Sequence, residues 1–576
     1  MVVASVVGRF RLVYVPRFAL TFFSTIFLST ILISTTAFCQ ETASAAASAN
    51  TPATPETLDQ IIDRVVEQQH LFVAEMRHYH PLVETYIQNL QSERNGVEQP
   101  VSDQYFLGRL ELADRAKDSS LLAQTDFGRR ILSKLTTLYE LNFLPLGFAQ
   151  MAILDDDFQR KYYNFTFARR EFLGEIRCLV LDVQPKTHSA NGRFLGRIWV
   201  EDQHYNIVRF EGTYLPRPRF GYYLHFDSWR LNLRPGVWFP AYIYSEELPL
   251  KHGLGRALRF KAQTRLWGYE PYQLKRMEEF THITIDSPGV DDQGDATHET
   301  APGESKRLWE GEAEDNAIER LQNVGLIAPQ GDADKILQTV VSKLLVPNKV
   351  VIQPDVRVRV LLLSPLQSFT IGHTIVLSRG LLDVLPDDAS LGMILAHELA
   401  HIILGHSLDT KFAFSDRLLF PDDDAFERLD FVHTPNDEDA ADKKAAELLA
   451  NSPYKDDLAS AGLFLKMVRM CAPELKGLIR PHIGNSLANG KFLAMSPLLA
   501  SAAQPQSRAD ERITVMPLGS RVELDPWSNR IELMKTTSAL TSAQKELPFE
   551  VAPFPPHLTR LSEDEPNKMI STAPLH

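Results

Sequence analysis

Residues 388–404, DASLGMILAHELAHIIL, leave little freedom in how this chain can fold. Leu391, Met393, Ile394 and Leu395 lead into His397-Glu398-Leu399-Ala400-His401, and Ile402, Ile403 and Leu404 follow. Asp387 stands where a helix N-cap is expected, Asp388 adds negative charge to the first turn, and Gly405 sits where the helix can end. A helix apolar on nearly every side is buried. Two imidazoles and a carboxylate inside it are costly unless something satisfies them. His397 and His401 share one face, while Glu398 lies about 100° round the helix. Hydrolytic zinc chemistry needs this spacing: two neutral nitrogens converging on one ion, an open position for water, and a carboxylate beside the ion to take the water's proton. A chance H-E-x-x-H is the alternative, and the buried setting argues against it.

Catalytic zinc usually takes three protein ligands. The extended pattern H-E-x-x-H-x-x-G-x-x-H fails, because Leu404 and Ser407 occupy its glycine and histidine positions. His406 is one residue short and is expected to point off the metal face. The other solution takes a glutamate from a later helix. Thr434-Pro435 is a good helix start, and Asn436-Asp437-Glu438-Asp439-Ala440-Ala441-Asp442 follows it. Glu438 and Asp442 lie one turn apart on one face, with alanines beside them that let this helix approach the first closely. Glu438 is the expected third ligand, and Asp442 the acceptor that orients a ligand histidine. Asp437 and Asp439 are adjacent competitors, and a solvated acidic helix start is the bland alternative. One Zn2+ per chain is the expected cofactor.

These residues, with Gly405-His406 after the first motif and Glu438-x-x-Ala441-Asp442 in the second, resemble the gluzincin peptidases of the HtpX, Oma and CAAX-prenyl-protease group. Ser364-Pro365-Leu366-Gln367-Ser368-Phe369 is similar to that family's Asn-Ala-Phe stretch, with Gln367-Ser368 in place of Asn-Ala. His373 to Leu382 is similar to the strand leading into its active helix, although the family's glycine pair is reduced to Gly372. The resemblance runs from about Asn316 to Arg480 and implies an endopeptidase with Glu398 as general base. It also implies that the strand near His373–Ser378 lends its open edge to an extended protein substrate. A later His or Arg would then stabilise the oxyanion, for which His482, His557 and Arg560 are the candidates; surface histidines are the alternative.

Elsewhere the chain is less specific. It has 576 residues, enough for two to four domains, and a net charge of -13, which argues against a nucleic-acid partner. In residues 1–39, Arg9, Arg11 and Arg17 precede an apolar run from Phe18 to Cys39 that reads as an export signal, implying the periplasm or cell envelope. An uncleaved anchor and lipidation at Cys39 are the alternatives. Residues 40–56 are a flexible lead-in, and 57–150 read as helical, from Ile61, Ile62, Val65 and Val66 onward. His78 and His80 are read as structural or surface residues. From 151 to 286 the period switches to two, predicting an antiparallel meander. Gly196 to Val200 and Val208 to Phe210 resemble LolA-like lipoprotein carriers, whose curved sheet holds an acyl chain. That implies a lipid or lipoprotein at this module. Residues 287–314 are Gly-, Pro- and acid-rich and read as a linker. Residues 315–480 are the expected zinc peptidase domain, and within them 408–433 are either a lid or a solvated loop. Residues 481–576 form an extension, expected to be partly disordered, with a hairpin within 513–533.

The expectation is therefore an α+β, multidomain chain: a mainly helical zinc peptidase domain with a small edge sheet, preceded by helices and an antiparallel, curved β module. The expected activity is that of an exported zinc metalloendopeptidase acting on envelope proteins. The alternative is a non-hydrolytic envelope chaperone or lipid-handling protein whose zinc is structural.

Overall fold

The computed structural model describes residues 57–92, 98–112, 116–122, 151–154, 158–186, 193–215, 222–249, 260–269, 302–406, 433–479, 515–516, 518–519, 521–525, 530–533 and 549–561. All of them fall in one compact unit, Glu56–His576. The expected export signal with Cys39, most of the stretch 408–433, and His482 lie outside the described residues. Among the described residues, no helix is long and apolar enough to cross a membrane.

Helix α1 (Leu58–Met76) opens on a capping box, in which the Thr57 hydroxyl accepts from the Gln60 N–H and the Gln60 side chain accepts from the Thr57 N–H. Strands β1 (Leu82–Ser92), β2 (Glu98–Leu112) and β3 (Ala116–Leu122) follow. Then come β4 (Tyr163–Leu173), β5 (Ile176–Pro185), β6 (Phe194–Glu201), β7 (Ile207–Tyr214), β8 (Tyr222–Arg234), β9 (Val237–Pro249) and β10 (Phe260–Trp267). They make one sheet in the order β3-β2-β1-β10-β9-β8-β7-β6-β5-β4, with antiparallel neighbours throughout. The run from β4 to β10 is the meander that alternation predicts. Leu82 then stands opposite Trp267, so β1 closes onto β10.

The helical reading of 57–150 needs correction, because α1 is followed by strands. β1 is buried on both faces: Val83 and Ile87 pack with α1, while Leu82 and Tyr86 pack with the C-terminal half. Apolar residues on both sides erase the period-two signal. One face of the sheet carries α1, whose Ile62, Val65, Phe72 and Met76 share an apolar cluster with Phe210, Phe226 and Phe239. Arg230 is buried beneath it; its guanidinium lies 3.9 Å from the Phe72 ring, and Nη2 donates to Gln69 Oε1 at 3.1 Å.

The opposite face is joined to the C-terminal half by one continuous apolar core. Buried polar groups of the sheet knit the two together. Glu84 accepts from Arg265, from Tyr105 Oη at 2.9 Å, and from the Ser364 N–H and hydroxyl at 2.6 and 2.9 Å. Asp103 accepts the Gly477 and Leu478 N–H groups at 2.8 and 2.7 Å. Gln88 donates to Phe549 O at 2.6 Å and accepts from the Val551 N–H at 2.8 Å, tying down the C-terminal segment. Residues 287–314 therefore do not separate two cores.

In the C-terminal half, α2 (Pro302–Val324) begins inside the expected linker, and residues 287–301 lie outside the described residues. Its Glu, Lys, Arg and Ala content suits a solvated helix as well as a linker, and composition alone does not separate the two. The chain continues through α3 (Asp332–Leu345), β11 (Arg357–Leu361), β12 (Ser368–Ile371), β13 (Thr374–Ser378), α4 (Arg379–Val384), α5 (Asp388–Leu404), α6 (Pro435–Ala450) and α7 (Leu458–Cys471). The hairpin β14 (Val522–Asp525) with β15 (Arg530–Leu533) follows. The small sheet runs β11-β13-β12, parallel then antiparallel. This corrects the expected substrate edge. The strand at His373–Ser378 is central and hydrogen-bonded on both sides, and β12 is the edge strand next to α5.

Candidate metal centre

Helix α5 starts where its sequence indicates, with Asp387 Oδ1 accepting from the Ser390 N–H at 2.8 Å. It ends on Gly405, whose φ of 71° is the left-handed conformation that glycine adopts without strain. A Cβ on Gly392 would sit 2.8 Å from the Tyr454 ring, so only glycine lets that ring close over the helix. Helix α6 starts with Pro435 in its first turn and Thr434 accepting from the Asp437 N–H at 3.3 Å. Ala441 and Ala445, fully buried, allow α6 to lie close against α5.

That approach brings three ligand atoms together. His397 Nε2 lies 3.2 Å from His401 Nε2 and 3.2 Å from Glu438 Oε2, and His401 Nε2 lies 3.8 Å from the same carboxylate oxygen. Ligands at about 2.0–2.2 Å from a tetrahedral zinc are themselves about 3.3–3.6 Å apart, so the triangle fits that ion. Each histidine offers Nε2 because its Nδ1 is engaged elsewhere. His397 Nδ1 is 2.9 Å from Asp442 Oδ1, on a carboxylate that is itself buried. His401 Nδ1 is 3.0 Å from His406 Nδ1. Burial opposes the charged form of His397, but Asp442 and Glu438 hold its pKa well above the usual histidine value.

Glu398 is only 3% exposed and does not join the triangle. Its Oε2 accepts from Thr370 Oγ1 at 2.8 Å, and Ser368 bonds to it as well. Burial pushes its carboxyl above the ordinary range, while His397 and these two hydroxyls pull it back. Both hydroxyls come from edge strand β12, so one short strand holds the general-base candidate and borders the site.

Of the oxyanion candidates, His482 lies outside the described residues and His557 is exposed. Arg560 bonds to Glu201 Oε2 at 2.9 Å, and Glu201 is fully buried at the β6–β7 turn. Arg560 thus holds the C-terminal segment to the large sheet and is removed from the oxyanion candidates. Sequence reasoning missed two histidines. His406 was expected to point away, yet the left-handed Gly405 folds the chain back so that the His406 N–H reaches His401 O at 3.0 Å. His433 is buried and stacks on His401, with ring centroids 3.9 Å apart and planes at 16°. No signal in the sequence marks His433, because its place against His401 depends on the docking of α6 on α5.

Residues 333–418 match the model of peptidase family M48. The matched stretch holds His397, Glu398 and His401 and stops before Glu438 and Asp442. It supports the resemblance to the gluzincin group and points to a metallopeptidase hydrolase. A comparison with curated proteins finds no match. Among solved structures, a DUF1329 family protein from Desulfovibrio piger ATCC 29098 is similar at 10% identity, over 36% of this chain and 93% of that one. Its TM-score is 0.17, too low to carry any argument.

Proposed function

We propose that the chain is an exported, zinc-dependent endopeptidase that hydrolyses peptide bonds in envelope proteins. The observation that carries this is the triangle of His397, His401 and Glu438 with the unligated carboxylate of Glu398 beside it. A zinc ion bound there supplies Lewis-acid polarisation and lowers the pKa of a water nucleophile. Glu398 takes the proton of that water and delivers it to the leaving amine. Thr370 and Ser368 orient the carboxylate for both transfers. Asp442 keeps the His397 proton on Nδ1, leaving Nε2 as the ligand atom.

The substrate segment lies in extended form along β12. Ser378 N–H donates to Gln367 O, and ladder alternation then turns the backbone groups of Ser368 and Thr370 away from β13, toward an added strand. A purified chain should carry about one zinc and cleave casein in a chelator-sensitive manner. Glu438→Gln should strip the metal while Asp439→Asn retains it. Equal metal content in the two variants would remove Glu438 from the ligand set.

A further inference from the structure

Asp442 holds His397 directly, whereas His401 Nδ1 has the imidazole of His406 beside it, at 3.0 Å between the two Nδ1 atoms. The other ring nitrogen of His406, Nε2, lies 3.6 Å from Asp437 Oδ1. Asp437 is in turn fixed by the Thr434 hydroxyl, which donates to Oδ2 at 2.7 Å. We infer that His406 and Asp437 form a relay that positions His401 as a metal ligand. The inference rests on the metallopeptidase reading of the site.

Proton placement along the relay allows one arrangement. A nitrogen that holds a metal presents its lone pair, so with Nε2 of His401 as ligand the ring proton sits on Nδ1. His406 Nδ1 must then accept that proton's hydrogen bond, which leaves the His406 proton on Nε2. Nε2 faces the Asp437 carboxylate across 3.6 Å, a charge contact longer than a hydrogen bond that favours the proton on that nitrogen. His401 sets the tautomer of His406, the Asp437 charge supports it, and the chain ends on the helix cap of α6. Stacking of His433 on the His401 ring blocks rotation out of this plane.

Helix α6 therefore supplies the third ligand, Glu438, and both carboxylates that orient the histidines of α5, Asp437 and Asp442. Asp437 loses its place as a competing ligand and gains a positioning role. Nothing in the spacing of α5 alone shows this, because the relay exists only once Gly405 has turned the chain and α6 has docked.

The test is zinc affinity of the full-length chain, measured by chelator competition and independent of cleavage. His406→Leu should weaken binding by roughly 10- to 100-fold, the usual scale for losing a partner that orients a ligand. His406→Asn places an acceptor oxygen where Nδ1 stood and should recover most of the loss. Asp437→Asn should weaken binding in the parent chain and have little further effect on a His406→Leu background, since partners in one chain are coupled. Asp439→Asn should match the parent. The relay is overturned if His406→Leu binds as the parent does, or if His406→Asn is no better than His406→Leu. Should His406→Leu fail to fold, the relay stands or falls on Asp437→Asn against Asp439→Asn: equal affinities overturn it. A parent chain that takes up no zinc overturns the metallopeptidase reading itself, and the relay with it.

Discussion

A carboxyl group as deeply buried as Glu398 is driven toward its neutral form unless neighbours compensate. Here burial keeps the carboxyl above its ordinary range, and an imidazole beside it and two hydroxyls from β12 offset part of that effect. Glu398→Gln keeps the shape and the hydroxyl contacts but cannot accept a proton. Zinc content and unfolding midpoint should stay at the parent values while cleavage falls by roughly two to four orders of magnitude, the usual scale for losing a general acid–base. His397→Ala should instead release zinc. A chaperone with structural zinc would keep its activity in Glu398→Gln and lose it in His397→Ala, so an envelope-stress complementation assay with both variants separates the two activities. The spacing of His397, Glu398 and His401 was readable because all three lie within two turns of one helix, where geometry follows from sequence separation. Glu438 was readable from the Thr434-Pro435 start. His406 and His433 were not, because their places depend on a left-handed cap and on helix docking.

Strands β4 to β10 announce themselves by alternation, whereas β1 does not, because it is buried on both faces. The order of the small sheet is hidden for a different reason: periodicity marks a strand but says nothing of its neighbours. His373–Ser378 therefore looked like the edge, although β13 lies between β11 and β12. Helix α4, short and wholly buried, also escaped the sequence reading, and it carries a titratable group. Asp383 accepts the N–H groups of Gly519, Arg521 and Val522, clamping the segment before β14 to α4. Burial raises its pKa to about 6 despite those donors. A carboxyl raised above its unfolded value stabilises the fold when protonated. Its contribution is fully present below about pH 4 and is lost as the pH rises through about 6, a change of roughly 3 kcal/mol. Denaturant unfolding of the parent and Asp383→Asn should show the parent's relative stability declining from pH 4 to pH 7. Parallel curves would show that Asp383 is not linked to folding.

At the scale of the whole molecule, composition suggested separable modules, and the polar groups that join them were not legible as such. Glu84, Gln88 and Asp103 fall in the stretch that reads as helical, yet they stand on strands, Glu84 and Gln88 are buried, and all three bond to the C-terminal half or the C-terminal segment. Leu366 N–H also donates to Leu478 O at 2.7 Å, so the segment leading into β12 is held from the sheet through Ser364 and from the region after α7 through Leu366. The large sheet thus bears on the site by fixing the strand whose Ser368 and Thr370 hold Glu398. Residues 315–480 expressed alone would expose the apolar surface that the sheet covers and leave Ser364 without Glu84. They should be aggregation-prone and retain little zinc, while the full chain should unfold in one cooperative transition. Glu84→Leu removes a fully buried acceptor and strands Arg265 without its counter-charge. Breaking such a pair from one side costs about 3 to 5 kcal/mol, whereas the double variant Glu84→Leu/Arg265→Met should recover much of that stability. Recovery of stability without recovery of cleavage would assign the pair a role in placing β12; recovery of both would limit it to folding. Two well-separated transitions in the full chain, one for each half, would count against a shared core.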